Sequence, residues 1–347
     1  MKPLQTARIS GVNLARITGA VGIIAFHYGC HNDFLGPFLR SSANDSWGRI
    51  LVALFLIISG ACLARTYAAH FDWKLFFKKR WLAIFPIFYI SYLLVAGQNF
   101  VWHGTCWWEG IPPYRFVYTL LGIDGYIPFD RPNFYLVGEW FVGALIGCYL
   151  VFPVLLWLLK HFPYTTAAVL LTVTWFIPLM PFFTGDPFQN LWTCITIFYL
   201  GMLIAQFPSL FARNEACWIS TLVMLVLLCL HIPFYPWLRL FGSILTAIAM
   251  FLSLTNFGRI CEQSETVRTA LARLGKLSYP MFLVQHVLIV RILVHWTGYS
   301  PLSALKGLFL SIAATLFMAW VILLIHDKLI SSLHAATNSW SVSDNKK

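Results

Sequence analysis

Apolar residues run in helix-length blocks along nearly the whole chain, broken by short polar loops. A run of about 20 apolar residues spans the hydrocarbon core of a bilayer. The blocks predict transmembrane helices at roughly 10–30, 50–69, 81–99, 134–158, 165–183, 190–206, 216–234, 237–256, 278–297 and 304–326. A shorter stretch near 114–122 is flanked by polar residues and is expected to be a partly buried or re-entrant piece. Several blocks hold Pro or Gly, which membrane helices tolerate where neighbours re-satisfy the backbone. The predicted fold is all-α, a polytopic membrane helix bundle of about ten transmembrane helices. The polar loop at 257–277 is expected to be helical. Residues 1–335 read as one integral-membrane domain, and 336–347 as a short, disordered, polar cytoplasmic tail.

Composition supports the same reading. Of 347 residues, 59% are hydrophobic and 11% charged, whereas soluble domains average about 25% charged. There are too few charges to cover a water-facing surface. The first apolar block holds Asn13 and Arg16 and lacks a small-residue cleavage site, so no cleavable signal peptide is expected. The eight cysteines form no CxxC pair and no metal spacing, so no metal is expected. Cys30 and Cys106 are both expected on the outer side, without a disulfide between them.

Charge sets the orientation. Of 24 Lys and Arg, six lie on one side (Arg40, Arg49, Arg115, Arg131, Arg239 and Lys306), and Arg16 and Arg291 lie inside helices. The remaining sixteen lie on the other side, which cations mark as cytoplasmic. Both termini are therefore expected in the cytoplasm. The net charge of +11 is mostly this topology signal. It argues against nucleic acid as a partner, because the cations sit in short loops rather than on one soluble face.

Ionisable residues at membrane depth cost free energy and mark candidate chemistry. Arg16 and His27 are eleven residues apart, which is three helical turns plus about 20°, so they share one helix face about 16 Å apart along the axis. Read singly, Arg16 is as well a cation snorkelling to lipid phosphate and His27 an interfacial imidazole. Their shared face favours a functional stripe. The run Lys78-Lys79-Arg80 is either topology charge or a site for a polyanion, since Arg offers planar donor pairs to phosphate. Glu139 is expected near the depth of His27, where a carboxylate would orient or charge-stabilise an imidazole or simply mark a helix start. His286 reads equally as a second functional imidazole or a packing one, and Ser59-Gly60 chiefly as a helix-packing site.

Together these segments resemble the integral-membrane acyltransferase-3 family, which includes O-acetyltransferases acting on cell-surface polysaccharides. The resemblance runs from the first helix to about residue 326. It is carried by the Arg16-x10-His27 spacing, Ser59-Gly60, the basic run before Pro86, Glu139-Trp140-Phe141 through Tyr149 and Pro153, and Ser278-Tyr279-Pro280 through Leu283 and His286. The sequence departs from the family pattern at Asn13, where many members have Asp, and at Ala83, where many have a second Arg. The resemblance implies transfer of an acyl group, usually acetyl, from cytosolic acyl-CoA to a hydroxyl of a cell-surface or exopolysaccharide precursor. His27 is then the expected base, with Glu139 and His286 as further catalytic candidates. Arg16, Lys78, Lys79 and Arg80 are expected to bind the donor. The expected partners are acyl-CoA, a glycan or other hydroxyl acceptor and membrane lipids, and the expected location is the cell membrane. The competing reading is a transporter with Arg16, His27, Glu139 and His286 lining a substrate or proton path. The sequence lacks the paired broken helices that many transporters show.

Overall fold

The computed structural model describes residues 9–42, 45–107, 109–126, 133–180, 186–229, 236–290 and 300–344. Among them lie twelve α-helices: α1 (Val12–Cys30), α2 (Gly36–Leu39), α3 (Trp47–Thr66), α4 (Trp73–His103), α5 (Phe116–Leu121), α6 (Glu139–His161), α7 (Pro163–Phe176), α8 (Leu191–Ile204), α9 (Asn214–Cys229), α10 (Pro236–Cys261), α11 (Glu265–Leu288) and α12 (Pro301–Asp344). The described part of each of the ten apolar blocks overlaps a helix, and within the 114–122 stretch lies the six-residue α5.

Among the described residues, five helices are long and apolar enough to cross a membrane: Trp47–Thr66, Trp73–His103, Trp140–His161, Leu238–Cys261 and Pro301–Ser332. Helices α7, α8 and α9 are apolar but shorter. Helix α4 is longer than its apolar block because it begins at the capping residue Asp72, whose carboxylate accepts from the Leu75 amide, and takes in the basic run. Pro86, Pro153 and Pro280 lie inside α4, α6 and α11.

The 257–277 stretch is helical except at 262–264: α10 continues to Cys261 and α11 begins at Glu265. Helix α12 continues past its apolar block to Asp344. Extending a formed helix adds one hydrogen bond per residue fixed, whereas nucleation is the costly step, so the long apolar part of α12 carries its polar end along.

Helix α1 is central, packing against α3, α10, α11 and α12. It carries its polar residues into the middle of the bundle rather than toward lipid. Large apolar side chains such as Phe309, Phe317 and Trp320 are left on the outer surface of α12. That is the pattern expected where the surrounding solvent is lipid. The most intimate pairing is α3 with α8. There Gly60 faces the Phe198 carbonyl and Gly201 faces the Ile57 carbonyl, so the two backbones touch. Small residues permit this approach in membranes, where packing rather than water drives association.

Candidate active site

Two cavities open along α1, one at its His27 end and one at its Arg16 end. The His27 cavity holds about 710 Å³ and the Arg16 cavity about 470 Å³. Phe141 and Phe282 line both. Their rings meet edge to face with centroids 5.0 Å apart, and both are buried. One aromatic layer thus separates the two spaces.

Three imidazoles gather at the His27 end. The His27 and His286 rings stand nearly perpendicular with centroids 5.1 Å apart, and His31 lies 5.9 Å from His286. His27 lines the cavity and is half-buried, whereas His286 and His31 are exposed. Partial loss of water around His31, just past the end of α1, shifts its pKa below the ordinary imidazole value. The sequence reading passed over His31, although its spacing of four from His27 places it on the same helical face.

The opposite wall of this cavity is a charge network. Arg49 donates to Asp45 Oδ1 at 2.9 Å and, through Nε and Nη2, to Asp186 Oδ2 at 3.2 and 2.8 Å. Ser243 donates to the other Asp45 oxygen, and Asp186 Oδ1 accepts from the Phe188 amide. Ser41, Gln189, Arg239 and Trp140 complete a lining that mixes planar polar groups with an aromatic face. In the sequence Arg49 and Arg239 count only as topology charge. The i,i+4 spacing of Asp45 and Arg49 is the available signal.

At the other end Arg16 donates to Asn13 Oδ1 at 3.4 Å and to Cys62 Sγ at 3.6 Å, neither of them an anion. Arg80 lies with its guanidinium 5.8 Å from the Tyr149 ring centre, and its buried Nε has no partner. Tyr149 is held in turn by Ser59, 3.0 Å away, and Tyr279 donates to the Ile84 carbonyl at 3.3 Å. Of the basic run only Arg80 lines the cavity; Lys78 and Lys79 are exposed outside it. Successive helical residues are turned by about 100°, so three in a row cannot share a face. Ala83 forms part of the wall, and a third cation, Lys276, comes from α11. The Asp327 carboxylate in the same lining is paired with His326 at 3.0 Å. With three cations and one carboxylate, this cavity suits an anionic guest.

Glu139 is the first residue of α6, and its side chain lies outside the described residues, as does Arg291. Among the described residues no cluster of three His, Cys, Asp or Glu is arranged to hold a metal ion.

A family model described as an acyltransferase domain, that of the acyltransferase-3 family, matches residues 9–326. Nothing matches among curated proteins or among solved structures.

Proposed function

Because the chain belongs to the acyltransferase-3 family, we propose that it moves an acetyl group from cytosolic acetyl-CoA to a hydroxyl of a cell-surface glycan precursor, in the cell membrane. The carrying observation is the pair of opposed cavities that share Phe141 and Phe282. The cation-lined cavity suits the phosphates of CoA and faces the cytoplasm. The cavity edged by Arg49, Gln189 and Trp140 suits a polyhydroxylated acceptor and faces outward.

The donor enters with its phosphates near Arg16 and Arg80 and its thioester directed at the aromatic layer. His27 takes the proton of the acceptor hydroxyl as that oxygen attacks the thioester carbonyl. The tetrahedral adduct then collapses, the C–S bond breaks, and the CoA thiolate leaves and collects a proton. An imidazole suits the base because its unperturbed pKa lies near neutrality. Glu139 and His286 are proposed to orient or charge-stabilise it. The test is release of free CoA by purified protein given acetyl-CoA and a panel of defined glycosides. Acceptor-dependent release with a matching acetyl ester supports the reading. Substrate flux across vesicles without any thioester cleavage would replace it with the transporter.

Two results are expected at this stage. Arg80→Ala should weaken CoA binding by about 10- to 100-fold, since hydrogen bonds to charged groups are worth roughly 1.5–3 kcal/mol. Arg80→Lys should recover only part of this, because it keeps the charge but loses the planar fork. Equal calorimetric affinity in all three proteins removes Arg80 from the donor site. The second result concerns topology. Cys30, exposed at the His27 end of α1, should react in intact cells with a membrane-impermeant maleimide. Cys261, at the end of α10, should react only after the membrane is opened; the reverse pattern would invert the orientation.

A further inference from the structure

The donor proposed above carries two separate anionic groups, a diphosphate next to the pantetheine arm and a phosphate on the ribose at its far end. The cavity offers cations at two levels of burial. Arg16 and Arg80 are half-buried, one against Asn13 and Cys62 and the other against Tyr149. Lys276 lines the same cavity but is exposed. It lies six residues before Phe282 on α11, about 9 Å along the axis from the aromatic layer. Of the three cations in this lining, Lys276 is the one most open to solvent, where the far end of a donor held by Arg16 and Arg80 would emerge. Asp327, paired with His326, adds a carboxylate to the lining that disfavours an anion beside it. Among the described residues no carboxylate pairs with Lys276.

We propose that Lys276 reads the ribose phosphate of the donor, leaving the diphosphate to Arg16 and Arg80. This inference rests on the acyl-CoA reading, and the test separates the two. Lysine chemistry fits such a rim position. Its ammonium is a compact, mobile point charge that follows a phosphate through water without needing a fixed fork. Its contribution is limited by water and salt, as for other exposed ion pairs.

The experiment measures binding of CoA and of 3′-dephospho-CoA to the full-length protein in detergent, by calorimetry at low and high salt. Three proteins are compared: wild type, Lys276→Gln, and Lys78→Gln, whose side chain lies outside the cavity. Wild type should bind CoA about fivefold more tightly than dephospho-CoA, as roughly 1 kcal/mol for an exposed pair implies, and less so at high salt. Lys276→Gln should bring that ratio close to one while leaving dephospho-CoA affinity unchanged. Lys78→Gln should keep the wild-type ratio. The proposal is overturned if wild type does not distinguish the two ligands, if Lys276→Gln keeps the preference, or if Lys276→Gln weakens both equally. Failure of wild type to bind either ligand overturns the acyl-CoA reading itself. Because Lys276 is exposed, its loss should leave Tm unchanged, and a lowered Tm would assign it a structural role instead.

Discussion

His27→Ala protein, folded and still able to bind CoA, should transfer acetyl groups about 10²- to 10⁴-fold more slowly than wild type, the usual contribution of general acid–base catalysis. His27 is the imidazole that lines the larger cavity, and it sits with Ile23 and Phe282 beside the aromatic layer. His286 stands outside that lining, its ring 5.1 Å from the His27 ring. A residue that acts through another should cost less than the base itself. His286→Ala is therefore expected to lower turnover by a smaller factor and leave CoA affinity intact. Arg16→Ala should act in the opposite way, raising the acetyl-CoA requirement while turnover at saturation changes less. The measurement is acetylated product per unit of folded protein, at saturating and at limiting acetyl-CoA. If His27→Ala keeps wild-type turnover and His286→Ala abolishes it, the two imidazoles exchange roles.

The Arg16–His27 stripe is legible in the sequence because both residues lie on one helix, where spacing alone fixes their relative direction. The cluster around His27 is not. His286 reaches it from α11, more than 250 positions later, and no local pattern says that α1 and α11 are neighbours. The basic run shows an intermediate case. Charge alone suggests three donor-binding cations, yet helical rotation already requires Lys78, Lys79 and Arg80 to diverge, and only Arg80 lines the cavity. Lys276 is hidden for the opposite reason, as one of several cations near the joint between α10 and α11 with nothing local to show which of them lines a cavity. Ser59-Gly60 reads as packing and does more. Gly60 lets α8 approach, and that approach sits beside the Ser59–Tyr149 contact at the cavity wall.

The largest stability effect should come from that helix contact. A Cβ added at Gly60 would overlap the Phe198 carbonyl oxygen, and one at Gly201 would overlap the Ile57 carbonyl oxygen. Both obstacles are backbone atoms, which cannot rotate away as a side chain can. The surroundings offer no slack: Ile57 on α3 and Ile197, Phe198 and Met202 on α8 are fully buried. Interiors packed this closely transmit a local overlap as a displacement of the whole element. Ordinary overpacking costs about 1–3 kcal/mol, and a backbone clash at the centre of the bundle should exceed about 4 kcal/mol, the range reserved for severe lesions. Gly60→Ala and Gly201→Ala should therefore lose the sharp, monodisperse folded form in detergent or melt far below wild type. Gly97→Ala is the comparison, because nothing lies within 4 Å of its added Cβ. There the better helix propensity of Ala should leave Tm equal or slightly raised. The consequence extends to chemistry. If Gly60→Ala is recovered folded at low temperature, α3 must have moved off α8, taking Ser59 from Tyr149 and widening the cavity that holds Arg16 and Arg80. That protein should bind CoA more weakly than wild type. A Gly60→Ala protein with wild-type Tm and wild-type CoA affinity would show that α3 and α8 are not packed backbone to backbone.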